Sequence, residues 1–176
     1  ANELGYEPNF LAQSLRTGLT QTIGFIVRDI TNPFFAAIAT GAEKYLRSEG
    51  YMMLLVNSGG DPAIEADHID VLRRRRVDGL ILNVVAEDHE PTVNAIIGMN
   101  VPTVLVDREI SSFEGSRILC DHYTGVRAAV SDLIDAGHER IALVSGRSNV
   151  LPVRERIRGL TDEFAAHGLD PADAMM

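Results

Sequence analysis

The chain has 176 residues, 45% of them hydrophobic and 23% charged, with a net charge of −9. That length suits one ordinary domain, or a domain and part of another, and the composition can bury a core rather than stay disordered. So acidic a surface repels the phosphates of nucleic acid, so any DNA contact must be local or come from residues outside this chain. No apolar run approaches the roughly 18–20 residues of a membrane-spanning helix. No basic segment followed by an apolar core marks a signal peptide. The single cysteine, Cys120, excludes an internal disulfide and fits a reducing compartment, so a cytoplasmic protein is expected. The chain begins at Ala1 without an initiator Met, as a fragment would.

From Thr22 onward the pattern alternates between strand and helix. TIGFIV (22–27) is a β-branched apolar run. In NPFFAAIATGAEKYLRSEG, helical spacing puts Phe35, Ile38, Ala39, Ala42 and Leu46 on one face, with Gly50 as the stop. YMMLLV (51–56) is a second strand. NSGGDP is a turn, with Asp61 placed to cap a helix and Pro62 at its first position. Ile64, His68, Ile69 and Leu72 mark that helix's apolar face. DGLILN (78–83) is the third strand, PTVNAIIGM a short helix and PTVLV (102–106) the fourth strand. SRILC (116–120) is a further short run, and TGVRAAVSDLIDAG a helix closed by Gly137. RIALVS (140–145) reads as a strand, and VRERIRGLTDEFAAHG as a helix ending at Gly168.

The strands are continuous apolar runs rather than alternations. That predicts burial on both faces, in a parallel sheet covered by helices. The fold class is therefore α/β with a doubly wound parallel sheet. Ligands of such sheets sit outside the carboxyl ends of the strands. The residues there are Arg28 and Asp29, Asn57 and Ser58, Asn83, Asp107 and Arg108, then Ser145 and Arg147. Such a rim suits a hydroxyl-rich or charged small molecule, although strand ends meet water and are polar in any case.

Enzymatic signals are weak. No nucleophile elbow, phosphate loop or dinucleotide fingerprint is present, and the five histidines show no metal-ligand spacing. No cofactor and no metal are expected. Cys120 ends an apolar run, which points to a buried, inert thiol. The run Arg73–Arg76 closes a helix, where cations favour the negative end of the dipole; a solvated helix end explains it better than a DNA patch. Phe34 and Phe35 stand at a first helical turn beside the strand-one rim, either as core or as an aromatic wall for a ligand.

The opening stretch has its own logic. Pro8 and Asn9 suit a helix start, residues 10–16 can continue it, and Gly18 is a natural stop. Two turns are marginal alone in water, so this helix needs a partner to dock on. A leucine projecting from so short a helix has the form of a minor-groove wedge.

At this point the chain resembles a known family. ELGYEPNFLAQSLRTG is similar to the headpiece end and hinge helix of the LacI/GalR (lactose-repressor/purine-repressor) family of bacterial transcription regulators. TIGFIVRDITNPFFAAIATGAE, LRSEGYMMLLVNS, RRVDGLILN, VPTVLVDR, the DHYTG turn, LIDAGHERIALVSG and RERIRG follow in the family's order. The resemblance implies a periplasmic-binding-protein-like (type I) core of two subdomains behind a DNA-binding headpiece. Residues 1–8 would end the headpiece and 9–19 form the hinge helix. Residues 20–121 would form the N-terminal effector-binding subdomain, and 122–176 begin the C-terminal one.

It further implies that Leu15 is the minor-groove wedge, Ala12 its neighbour and Asn9 a backbone contact. Arg156 would bind effector hydroxyls or carboxylates, with Arg154, Arg158 and Gly159 framing it structurally. Asp107 and Asn83 would be pocket residues, and Phe34 and Phe35 the aromatic wall. Arg28 stands where smaller residues are common and would favour an acidic or phosphorylated ligand. The function implied is a ligand-responsive transcriptional regulator, not an enzyme, acting as a homodimer or dimer of dimers. Its partners would be operator DNA and a sugar-like or nucleobase effector, with no membrane. The alternative is a periplasmic-type sugar-binding protein of a transporter, in which a hinge helix of this sequence has no purpose.

Overall fold

The computed structural model describes residues 16–146 and 149–170. Ten elements follow one another: β1 (Thr22–Val27), α1 (Pro33–Ser48), β2 (Met52–Asn57), α2 (Pro62–Arg74), β3 (Gly79–Leu82), α3 (Glu90–Gly98), β4 (Thr103–Val106), β5 (Ser116–Ile118), α4 (His122–Asp135) and α5 (Leu151–Ala166). The sheet order is β2-β1-β3-β4-β5. β1 pairs in parallel with β2, from Thr22↔Met52 to Val27↔Asn57, and with β3, from Ile23↔Gly79 to Ile26↔Leu82. The expected parallel α/β sheet is therefore formed. By contacts the chain divides into two compact units, Ala1–Val85 with Glu90–Val104, and Ala86–His89 with Leu105–Met176.

In the first unit, Phe25 and Val27 of β1 meet Phe35 and Ala39 of α1, with Ile30, Ile38, Met53 and Ile81 packed around them. The helix starts follow from local chemistry. Asn32 accepts the Phe34 N–H at 3.0 Å, and Asp61 accepts the Ala63 N–H at 2.8 Å, each side chain taking an otherwise orphaned donor. Gly50, at φ +80°, ends α1 in the left-handed conformation that favours glycine.

Three expectations are corrected. Burial on both faces holds for β1, β3 and β4, but the outer strands β2 and β5 are largely open to solvent. Apolarity of a run does not say which strand lies at an edge. On α2 the buried positions are Glu65, Ile69 and Leu72, while Ile64 is exposed. Glu65 turns inward because the buried Val85 N–H donates to its carboxylate at 3.0 Å, satisfying a charge that spacing alone assigns to the surface. Finally, residues 140–145 make no strand; only Ala142 forms an isolated bridge, and Val144 is 95% exposed. A strand exists only when successive residues pair, and among the described residues only the single bridge at Ala142 forms along this run.

The second unit is built on α4 against α5. Val130, Leu160 and Phe164 form its core, with Ile141 and Leu143 packed on it. The helices meet so closely at Gly159 that an added Cβ would lie 2.7 Å from the Tyr123 carbonyl oxygen. Beside this contact, Arg127 Nε donates to the buried Glu163 at 2.6 Å.

Candidate functional site

The first unit ends its strands in polar residues, but most serve the loops themselves. Asn57 Oδ1 accepts the Ile30 N–H at 3.2 Å. The Ser58 N–H donates to the Val27 carbonyl at 2.9 Å. Asp29 Oδ1 accepts from the Thr31 hydroxyl at 2.7 Å and the Thr31 N–H at 2.9 Å. Those bonds, with a smaller pull from Arg28, hold the Asp29 carboxyl below the usual carboxylate range.

Three of the expected site residues remain distinct from this loop scaffolding. Arg28 is exposed, runs past the Gly59–Gly60 turn, and makes no hydrogen bond or ion pair among the described residues. Phe34 is 42% exposed, while Phe35 is buried behind it, edge-to-face at 5.1 Å. Of the expected aromatic wall, Phe34 is thus the ring open to solvent, while Phe35 belongs to the core. Asn83, directly after β3, is fully buried, and its N–H donates to the Ile26 carbonyl at 3.0 Å.

The second unit holds the densest cluster. Asp107 follows β4 with φ +54°, a left-handed backbone that a non-glycine residue adopts at a cost of order 1 kcal/mol. Its N–H donates to the Ile118 carbonyl at 2.7 Å, which helps hold that turn. Asp107 Oδ1 lies 2.8 Å from His122 Nε2, and Arg156 Nη2 lies 3.4 Å from His122 Nδ1. A guanidinium only donates, so Nδ1 must present its lone pair and Nε2 carries the proton to Asp107. His122 then links a carboxylate and a guanidinium through its two ring nitrogens. The expected site residues Asp107 and Arg156 are therefore joined through a histidine that periodicity and motif spacing do not single out. Its signal in the sequence is slight: it opens the DHYTG helix two residues after Cys120.

Cys120 departs from expectation, because it is exposed rather than buried. It lies just past the edge strand β5, where Ile118 and Leu119 of the same apolar run are exposed too. Partial burial, then the Asp107 charge, push its thiol above the ordinary range, so it is exposed yet a poor nucleophile.

Asp107, Cys120 and His122 place their ligand atoms within 4.8 Å of one another. The surroundings oppose a cation all the same. A metal-binding histidine normally donates its other N–H to an acceptor, whereas here a guanidinium stands at that nitrogen. Arg108 adds a second guanidinium 4.0 Å from Asp107. The constellation instead offers paired donors and acceptors to a neutral or anionic polar ligand.

One buried carboxylate holds the helix that carries Arg156. Glu87 accepts the Glu109 N–H at 2.8 Å, the Leu151 N–H at 3.0 Å and Arg154 Nη1 at 2.7 Å. The N-cap of α5, Val150, has no side chain able to cap it, and Glu87 supplies that cap from a distant loop. Arg158 stacks on the Tyr123 ring at 4.1 Å, so it and Arg154 are occupied structurally beside Arg156. Asn9, Ala12, Leu15 and Arg147 lie outside the described residues.

A parallel α/β sheet flanked by helices is the fold class of the periplasmic-binding-protein form. Residues 20–176 match the family of periplasmic binding proteins and sugar-binding domains of LacI-family proteins, and the chain belongs to that family. It is 33% identical over 96% of its length to the transcriptional repressor PurR of Photobacterium profundum, of which it covers 50%. It is 34% identical over 97% of its length to the ribose operon repressor of Escherichia coli, of which it covers 52%. The chain thus spans about half the length of the curated relatives it matches. A LacI-family transcriptional regulator of Enterococcus faecium, solved with bound ribose, superposes with a TM-score of 0.75 at 28% identity. That alignment covers 88% of this chain and 55% of the other. Among the described residues no helix is long and apolar enough to cross a membrane.

Proposed function

We propose that this chain is the hinge and part of the effector-sensing core of a transcriptional repressor. A small polar effector, sugar-like or a nucleobase, tunes the whole protein's affinity for operator DNA. The observation that carries the effector half is the Asp107–His122–Arg156 relay at a strand end, with its strained aspartate and its donor–acceptor pairing. In the first unit, Phe34, Phe35, Asn83 and Arg28 are the residues proposed for effector binding. The relatives support the ligand class: one is a ribose operon repressor, another is PurR, and a solved regulator holds ribose. Asn9, Ala12 and Leu15 supply the proposed hinge contacts to DNA, with Leu15 as the wedge between base steps. Residues 20–121 and 122–176 are proposed as parts of the two effector-binding subdomains.

The mechanism is linkage. An effector that favours one arrangement of the core changes how well two hinge helices order on DNA. Ordering a two-turn helix costs several kcal/mol, at roughly 1–2 kcal/mol per residue, so a small bias in its anchoring shifts operator affinity substantially. A second copy of this chain is the proposed partner, and exposed Tyr45, Met52 and Leu55 beside the edge strand β2 offer it an apolar contact.

The test is a thermal-shift screen of the full-length protein with ribose, other sugars, sugar phosphates and nucleobases. One class should raise the melting temperature, and Arg156→Ala should abolish that rise. A flat response across the panel would overturn the effector reading. A transporter's binding protein would respond to a sugar but would not retard any DNA duplex in a gel.

A further inference from the structure

Between the hinge and the sheet lies a short segment that composition and motif leave without a role. Asp78, just before β3, spreads its carboxylate over two consecutive backbone donors. The Thr20 N–H reaches Oδ1 at 2.9 Å and Oδ2 at 3.1 Å, and the Gln21 N–H reaches Oδ2 at 2.7 Å. The Thr20 hydroxyl proton is shared between Oδ1 at 3.1 Å and the Arg76 carbonyl at 2.9 Å. In return, the Asp78 N–H donates to the Thr22 carbonyl at 2.8 Å, and the Met52 N–H to the Gln21 carbonyl at 2.8 Å.

The backbone on both sides is strained. Gln21 has φ +50° and Arg76 φ +55°, each a left-handed conformation in a residue with a full side chain. Such conformations persist only where surrounding contacts over-determine them. Here the contacts are the carboxylate and the bonds around it. The backbone at Thr20 and Gln21 is therefore held where it enters β1. Gly18, at φ +73°, turns the chain near the end of the proposed hinge stretch. Beside it lies a groove of about 330 Å³ lined by Leu19, Arg73, Arg76, Met99 and Val101 among others.

We infer that Asp78 is the positioning residue of the hinge: its carboxylate clamps residues 20–21 and so sets the direction in which the DNA-contacting helix leaves the core. The Arg73–Arg76 run contributes through the Arg76 carbonyl and backbone turn rather than through a basic patch. The inference rests on the DNA-binding reading above. Charge is essential to it, because two adjacent N–H groups and a hydroxyl converge on one side chain. Asparagine has the same shape, but one of its two terminal atoms would turn N–H against N–H.

The experiment uses the full-length protein and a duplex enriched from a random-sequence library by the unaltered protein. Asp78→Asn should weaken binding of that duplex about tenfold or more, the loss of one charge-assisted bond. Hydrogen exchange at the Thr20 and Gln21 amides should accelerate while residues 22–27 stay protected. Thr20→Val, which removes only the hydroxyl bonds, should give a smaller loss in the same direction and covers the case in which Asp78→Asn fails to fold. Unchanged duplex affinity with accelerated exchange would overturn the coupling, and unchanged exchange would overturn the clamp itself. If the unaltered protein enriches no duplex, the DNA-binding reading fails instead, and the coupling falls with it.

Discussion

Asp107 makes three demands on its surroundings at once: a left-handed backbone, a proton from His122, and an unfavourable field at the Cys120 thiol. The last is directly measurable. Because partial burial and then Asp107 raise the thiol pKa, iodoacetamide should label exposed Cys120 slowly near neutral pH, and the rate should climb only above the ordinary thiol range. Asp107→Asn should speed labelling at neutral pH by removing the negative charge; an unchanged rate would mean that another group suppresses the thiol. His122→Ala should leave the fold intact yet free Arg156, weakening effector binding in the thermal-shift assay. A variant that binds as before would show the relay to be idle.

At the scale of elements, two helices depend on caps of different origin. Asp121 caps α4 locally, accepting the Thr124 N–H at 3.0 Å, and that bond lowers its carboxyl pKa. A depressed folded pKa means that the stabilisation is present above the unfolded value and is lost as pH falls through the folded one. The melting temperature of the protein should therefore fall on acidification below about pH 4. Asp121→Asn, which caps without titrating, should flatten that part of the profile. α5 is capped from afar by Glu87, whose side chain is only 6% exposed and accepts three bonds. Glu87→Ala leaves two backbone donors and a guanidinium short of a partner, and should destabilise by about 2–4 kcal/mol in urea unfolding. Where α4 and α5 touch, Gly159→Ala would push a methyl into the Tyr123 carbonyl, with a loss of about 1–3 kcal/mol despite alanine's better helix propensity.

For the whole molecule the tests concern coupling. Leu15→Ala in the intact protein should weaken operator binding by gel shift and leave effector binding unchanged. Equal operator affinity would refute the wedge. Met52→Asp with Leu55→Asp on the edge strand should lower the oligomeric state seen by sedimentation, because charge at an apolar contact is costly to bury. On the proposed reading, in which two hinge helices meet at one site, loss of pairing should lower operator affinity in the same gel shift.

The residues alone determined the order of elements as far as α4, the parallel sheet and the family. Apolar runs, capping residues and glycine stops are local signals, and β1 to β4 with their helices lie within a residue or two of the stretches those signals mark. The strand-end rule likewise placed Arg28, Asn83 and Asp107 directly after strands, because it needs only the order of elements. Only the tertiary structure decided what burial and distance decide. It made β2 an edge, left residues 140–145 with a single bridge instead of a strand, exposed Cys120, and turned Glu65 and Glu87 inward as buried acceptors. It joined Asp78 to Thr20 across 58 positions and His122 to Arg156 across 34. No local pattern encodes such pairs, because a hydrogen bond depends on where two side chains arrive after folding, not on their spacing along the chain.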